Sequence, residues 1–223
     1  MEKIQFDEKT FIYKTRLDLS EFKDEMLAEC KVECDISTNR DSLKDTLSSI
    51  HLGEKELNIL GNINVVNFIG DSAEIKISTR LDEIIQFGIK SCVDLYETED
   101  KMTFTKIFSD YWVGVLVAQD NSRLEFLKTT PFHSHAEINK MHKRFIPFYT
   151  YVYYIQMPDK LRENDGVLEI ENSSGNRYSI LPEEGDLIIM QSDLLHRPRW
   201  AFGTDKDRVI LAGNVGFNPF SDE

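Results

Sequence analysis

The run that decides the architecture reads Tyr149-Thr150-Tyr151-Val152-Tyr153-Tyr154-Ile155-Gln156-Met157-Pro158, then Gly166-Val167-Leu168-Glu169-Ile170, then Pro182-Glu183-Glu184-Gly185-Asp186-Leu187-Ile188-Ile189-Met190. Each piece is a short segment rich in aromatic and β-branched residues, closed by turn formers such as Glu163-Asn164-Asp165-Gly166 and Ser173-Ser174-Gly175-Asn176. Turn signals at intervals of roughly eight to twelve residues predict an all-β sandwich or barrel. The same texture extends outward from about Met102 to Phe217, with strands expected at 103–108, 111–118, 123–128, 131–137, 148–156, 167–171, 177–181, 186–190, 194–200 and 207–217.

Upstream the spacing is helical. Ser20 reads as a cap before Phe22, Met26, Leu27 and Cys30, and Leu81, Ile84, Ile85, Ile89, Cys92, Val93 and Tyr96 form one apolar face of a helix over 79–96. A strand is expected near 57–68, broken by Gly61. The reading is therefore a mainly β core over 106–223, braced by an α/β support region over 1–105 that packs on it.

Composition narrows the function. With 223 residues, 41% of them hydrophobic, the chain carries enough apolar surface for one sizeable core. Its 39 acidic and 26 basic side chains give a net charge of −13, the wrong sign for a phosphate-tracking face, so tight nucleic-acid binding is not expected. No apolar stretch reaches the roughly 18 to 20 residues of a membrane helix, and Met1 to Asp7 lacks a signal-peptide core. A soluble, cytoplasmic protein without a membrane partner is expected. The three cysteines, Cys30, Cys34 and Cys92, are odd in number and only the first two are close, with three residues between them, which predicts reduced thiols, two of them on one helix face, and excludes a four-cysteine zinc site.

The chemistry concentrates in Thr130-Pro131-Phe132-His133-Ser134-His135-Ala136-Glu137. In an extended segment, residues two apart share a face, so His133, His135 and Glu137 can present ligands on one surface. Imidazole and carboxylate suit a first-row divalent metal, and His196, after the turn and buried strand of 185–190, is the natural ligand from a second segment. Arg208 opens the apolar strand Val209-Ile210-Leu211-Ala212, and a guanidinium aimed into a barrel calls for an anion to grip. Lys140, Lys143 and Arg144, then Arg197 and Arg199, form basic clusters near the histidines in sequence, read either as solvated charge or as an anion pocket.

The ordered set of the first histidine motif, the Tyr-rich strand, Pro182 to Ile189, Ser192-Asp193-Leu194-Leu195-His196, Asp207-Arg208-Val209 and Ala212-Gly213-Asn214-Val215 resembles the 2-oxoglutarate/Fe(II) oxygenases. It is most similar to the oxygenases of large tailed bacteriophages and more distantly to the prolyl hydroxylases. The resemblance implies a double-stranded β-helix, a jelly roll related to the cupins, with Fe(II), 2-oxoglutarate and O2 as metal, co-substrate and oxidant. It also implies C–H oxidation of a small-molecule or protein side-chain substrate, and a host-cytoplasm setting for a phage-encoded chain. His196 takes the place of the distal ligand, and the first pair is His133 with His135 or His135 with Glu137. His135 belongs to both readings. Arg208 matches the arginine that holds the far carboxylate of 2-oxoglutarate. Tyr154 matches the tyrosine that assists it, and Thr150 shares the face of Tyr154. Arg197, Arg199 and Trp200 flank the expected metal mouth as candidate substrate contacts. Where the family often has a hydroxyl two residues after the arginine, this chain has Ile210. The rival readings are a cupin-like dioxygenase that does not use 2-oxoglutarate and a non-catalytic jelly roll.

Overall fold

A computed structural model of the chain describes residues 1–38, 63–69, 79–99, 108–116, 132–136, 146–159, 161, 163–199 and 206–217. The expected strand over 123–128, the Gly61 break, the basic residues at 140, 143 and 144, Glu137 and Trp200 lie outside them.

Ten strands and two α-helices are described: β1 (Glu2–Gln5), β2 (Phe11–Arg16), α1 (Lys23–Thr38), β3 (Ile63–Ile69), α2 (Thr79–Glu99), β4 (Phe108–Leu116), β5 (Ile146–Gln156), β6 (Leu168–Glu171), β7 (Arg177–Ile180), β8 (Asp186–Gln191), β9 (Leu195–Pro198) and β10 (Arg208–Phe217). A seven-stranded antiparallel sheet runs β1-β2-β8-β5-β10-β4-β3, and a three-stranded one runs β7-β6-β9. The fold is mainly β, a double-stranded β-helix. Strands β1 and β2 of the N-terminal region pair directly into the larger sheet through β8, in the register Tyr13↔Ile189 and Arg16↔Asp186.

The alternation of β5 explains the layers. Tyr149, Tyr151, Tyr153 and Ile155 point to a core shared with Met26 and Cys30 of α1 and Leu81, Ile84, Ile85 and Cys92 of α2. Val152 and Tyr154 point to a second core with Ile12, Leu168, Ile170, Ile188, Met190 and Ala212, between the two sheets. Both faces of the strand are buried, which is why its sequence is continuously apolar rather than alternating. Cys30 and Cys92 are buried in the helix-side core.

The sequence places α2 correctly and also explains its glycine. A Cβ on Gly88 would lie 2.7 Å from Cδ2 and 2.8 Å from Cε2 of the fully buried Tyr151 ring, so the helix touches the sheet at its backbone. Gly88→Ala is expected to destabilise the protein by about 1–2 kcal/mol in denaturant titration, because overpacking of about 1–3 kcal/mol exceeds the gain of about 1 kcal/mol in helix propensity. A variant as stable as the parent would show that the α2–β5 contact is looser than described.

Three local expectations are revised. Ser20 does not cap α1. It starts a 3-10 turn, Ser20–Phe22, and both its amide and its hydroxyl bond Asp18 Oδ1 (3.3 and 2.7 Å), leaving the first turn of α1 without that cap. Ser109 and Asp110 do not break the sheet, because they pair with Val215 and Asn214 inside a continuous β4. Of the strand expected over 131–137, the described residues 132–136 hold one bridge, at His133, and His135 and Ala136 are helical. The turn before β8 matches its reading: Gly185 sits at φ 82°, where a Cβ would be 2.9 Å from the Leu17 carbonyl oxygen. Its N–H donates to the Tyr154 carbonyl (2.8 Å) and its own carbonyl accepts from Leu17 N–H (2.8 Å), joining β5, β8 and the end of β2.

Candidate metal centre

His196 is carried by β9, on the side facing the inter-sheet core, since its partner Ile170 on β6 is fully buried there. His133 pairs with it as an isolated antiparallel bridge, each N–H donating to the other's carbonyl at 3.0 Å. His135 follows in a helical turn held by Ala136 N–H to Ser192 O (2.9 Å). Ser192 is in turn fixed by its N–H to Phe148 O (3.1 Å) and its hydroxyl to Pro147 O (2.5 Å). Backbone bonds from both segments thus fix the ligand-bearing residues.

The result is a cluster in which one ligand nitrogen of each of His133, His135 and His196 lies within 4.8 Å of the others. The Nε2 atoms of His135 and His196 are 3.2 Å apart, and their rings are parallel within 4° at 5.0 Å. The Trp112 indole of β4 also stacks with His135, at 5.3 Å and 15°. His196 Nδ1 donates to the Leu194 carbonyl (2.9 Å), which places its proton on Nδ1 and leaves the Nε2 lone pair facing the cluster. Two donors about 2.1 Å from one ion, in neighbouring positions, lie about 3.0–3.4 Å apart, so the observed separation fits a shared divalent cation. Three imidazoles suit a borderline first-row metal.

Burial keeps both inner rings neutral, the state a ligand needs. The His196 pKa is lowered to about 3, first by desolvation and then by His133. His135 is held well below 6.5 by desolvation and by the two other imidazoles. In the unfolded chain both protonate near pH 6.5, so the unfolded state binds more protons between that value and about 3, and stability falls as the pH falls through this window. Metal-free protein is expected to lose up to about 1.4 kcal/mol per pH unit for each of the two histidines below pH 6, read from chemical denaturation at stepped pH. A flat profile from pH 6.5 to 4.5 would contradict the buried neutral assignment.

Arg208 is 3% exposed and projects from the same inward row of β10 as Ala212. Its Nη1 donates to the Arg199 carbonyl (3.2 Å), its guanidinium carbon is 5.4 Å from the Tyr154 ring centroid, and its Nε is buried with no partner among the described residues. No carboxylate among the described residues pairs with it. Arg199, whose carbonyl accepts this bond, follows His196 by three residues, about 10 Å of extended backbone at roughly 3.3 Å per residue. Burial raises the Tyr154 phenol, reinforced by Asp186 and opposed by Arg208, which keeps it a protonated donor. Asp186 is fully buried beside it and binds Lys14 Nζ (2.7 Å).

Of the other expected residues, Thr150 is fully buried and its hydroxyl donates to Asn214 Oδ1 (2.8 Å). Arg197 and Arg199 are not brought to the histidines. Strand alternation turns them to the far side of β9, where Arg197 Nε pairs with Glu169, Arg199 Nη1 lies 3.5 Å from the same carboxylate, and the Arg197 guanidinium stacks 4.3 Å over Phe132. Glu137 and Trp200 lie outside the described residues. Trp112, Lys14 and Asn214 are not legible as site residues in the sequence, because β4, β2 and β10 reach their partners only through tertiary pairing, and Asp186 reads there only as part of the turn before β8. A separate cleft of about 470 Å³ lined by Arg16, Lys23, Met26, Tyr153, Ile155 and Glu184 opens on the helix side of β5, the opposite face from Tyr154.

No protein-family model and no curated protein matches the chain. Solved structures match it by shape. A prolyl-4-hydroxylase of Pseudomonas putida aligns over 92% of both chains with a TM-score of 0.51 and 12% identity. A prolyl hydroxylase of Trichoplax adhaerens, in complex with a hypoxia inducible factor oxygen degradation domain peptide fragment, aligns over 95% of this chain and 87% of its own with a TM-score of 0.52 and 14% identity. IDO from Bacillus thuringiensis aligns over 92% and 89%, at 0.51 and 9%. At these identities the likeness is one of fold. The protein has the jelly-roll fold of prolyl hydroxylases, with three imidazoles gathered inside it.

Proposed function

We propose that the protein is a non-haem Fe(II)- and 2-oxoglutarate-dependent oxygenase, a hydroxylase in which His133, His135 and His196 hold the metal. One observation carries the reading: a buried guanidinium with no counter-ion among the described residues faces the same barrel interior as a cluster of three imidazoles. A dicarboxylic 2-oxo acid supplies what each end lacks, an anion for Arg208 and a chelating oxo acid for the metal.

When bound, iron with 2-oxoglutarate and O2 supplies oxidative decarboxylation to succinate and carbon dioxide coupled to oxidation of a substrate C–H bond. The chain binds and orients. Leu194 O fixes the tautomer of His196, and Trp112 clamps the plane of His135. Arg208 and the Tyr154 hydroxyl grip the far carboxylate. Val152, Ile188, Met190 and Ala212 keep the interior between them apolar. No proton-transfer residue is required of the protein. These groups all belong to 106–223, whereas residues 1–105 contribute the β1–β2 hairpin, β3, α1 and α2 as support. A small molecule or a protein side chain is the substrate class.

No helix among the described residues is long and apolar enough to cross a membrane. The resemblance of the motif order to oxygenases of large tailed bacteriophages is the ground for proposing a cytoplasmic setting, that of the host for a phage-encoded chain. The all-imidazole donor set favours one second reading, a cupin-like metal dioxygenase that does not use 2-oxoglutarate. Aerobic incubation with Fe(II) and 2-oxoglutarate separates the two: the proposal expects O2 uptake matched by succinate. Metal-dependent O2 uptake without succinate supports the cupin-like chemistry, and an absence of metal binding supports a non-catalytic jelly roll.

A further inference from the structure

We propose that Asn214 binds the co-substrate: its side-chain amide nitrogen donates to the metal-side carboxylate of a 2-oxo acid whose far carboxylate is held by Arg208. This rests on the preceding functional reading and adds a residue to it.

Asn214 is 3% exposed on β10, opposite Thr150 of β5, and shares the inward row of Ala212 because Leu211 and Val215 face the helix-side core. Its Oδ1 accepts the Thr150 hydroxyl at 2.8 Å. A threonine hydroxyl has a single O–H to give, so Thr150 spends its donor there and has none left for a carboxylate. The bond sets the amide instead, turning Nδ2 away from β5. That nitrogen has no acceptor among the described residues. A polar donor held in a fixed orientation inside an apolar barrel is a recognition element.

Its position identifies the ligand end. Along β5 the inward row runs Thr150, Val152, Tyr154, and β10 places Asn214, Ala212 and Ile210 beside them, with Arg208 next in line. The metal cluster belongs to the Thr150 end, since Ser192, which anchors the His135 turn, is bonded to Phe148, and Met190 pairs with Thr150. Four residues of strand separate Thr150 from Tyr154, about 13 Å. A five-carbon chain of about 5 Å, with a hydrogen bond of about 2.9 Å at each end, matches a span of that order once the Arg and Tyr side chains reach inward. Asn214 and Arg208 then bracket one dicarboxylate.

The test is calorimetric titration of 2-oxoglutarate into Mn(II)-loaded protein, with Mn(II) affinity measured separately by electron paramagnetic resonance. Asn214→Ser withdraws the amide nitrogen without adding charge, leaving only a shorter hydroxyl closer to the backbone, and is expected to weaken 2-oxoglutarate binding at least 10-fold while Mn(II) affinity stays within about threefold. Asn214→Asp keeps the acceptor for Thr150 and sets a carboxylate against a carboxylate, and is expected to weaken it at least 100-fold. This variant decides the matter where the serine variant does not fold. Parent protein that binds Mn(II) but no 2-oxoglutarate defeats the functional reading and this proposal with it. Parent protein that binds both, with 2-oxoglutarate affinity within twofold in the folded Asn214 variant, overturns this proposal alone.

Discussion

Protein carrying His196→Ala is expected to lose affinity for Fe(II), or for Mn(II) as its redox-inert stand-in, by at least about 100-fold in equilibrium dialysis. The reason is geometric. Altering groups that merely orient metal ligands lowers metal affinity by about 10- to 100-fold, and His196 is itself a ligand candidate whose Nε2 is aimed by the Nδ1 bond to Leu194. It also sits 3.2 Å from the Nε2 of His135, so neither ring can be lost without leaving the other two short of a facial set. His196→Gln, closer in size, is expected to keep the β6–β9 pairing at Ile170 and still lose the metal. That separates ligation from folding. Metal uptake by His196→Gln equal to that of the parent would remove His196 from the centre.

Arg208→Met is expected to raise the KM for 2-oxoglutarate at least about 100-fold and, unlike most core substitutions, to leave thermal stability unchanged or improved. Both effects have one cause. The guanidinium is 3% exposed, donates to the Arg199 carbonyl at 3.2 Å and lies against the Tyr154 phenol, and its Nε has no partner among the described residues. An uncompensated buried charge is unfavourable by several kcal/mol, and replacing it with an apolar side chain of similar length is often neutral or stabilising. Stability is set against binding here, as is common where a site holds a charge ready for its ligand. Arg208→Lys retains the charge but not the fork and is expected to fall between the two in KM. A sharp loss of melting temperature with unchanged KM in Arg208→Met would mean that the arginine is structural.

The barrel was legible because β5, β8 and β10 announce themselves locally. Tyr154 and Arg208 are assigned to the interior by the motif resemblance, because both faces of β5 are apolar and alternation alone does not choose between them, and the structure places both against the inter-sheet core side. The histidine pair is found from a period of two, yet the local reason differs: His133 is in a bridge to His196, and His135 begins a helical turn anchored on Ser192. Alternation also turns Arg197 and Arg199 outward onto Glu169, where their sequence proximity to His196 gives no proximity to the metal cluster. Trp112, Lys14 and Asn214 were beyond reach as site residues. Trp112 reaches His135 because β4 pairs with β10, Lys14 reaches Asp186 because β2 pairs with β8, and the bond between Thr150 and Asn214 requires β5 beside β10. Such non-local pairings follow from how the apolar faces close on one another, and no window along the chain contains them.

X-ray absorption of the Fe(II)-loaded protein, with and without 2-oxoglutarate, addresses the donor set itself. Three imidazole nitrogens from the protein on a single iron, with a chelating 2-oxo acid added on titration, is the predicted result. Two imidazoles with a carboxylate oxygen that disappears in Glu137→Gln, or an iron whose surroundings are unchanged in His133→Ala, would contradict it.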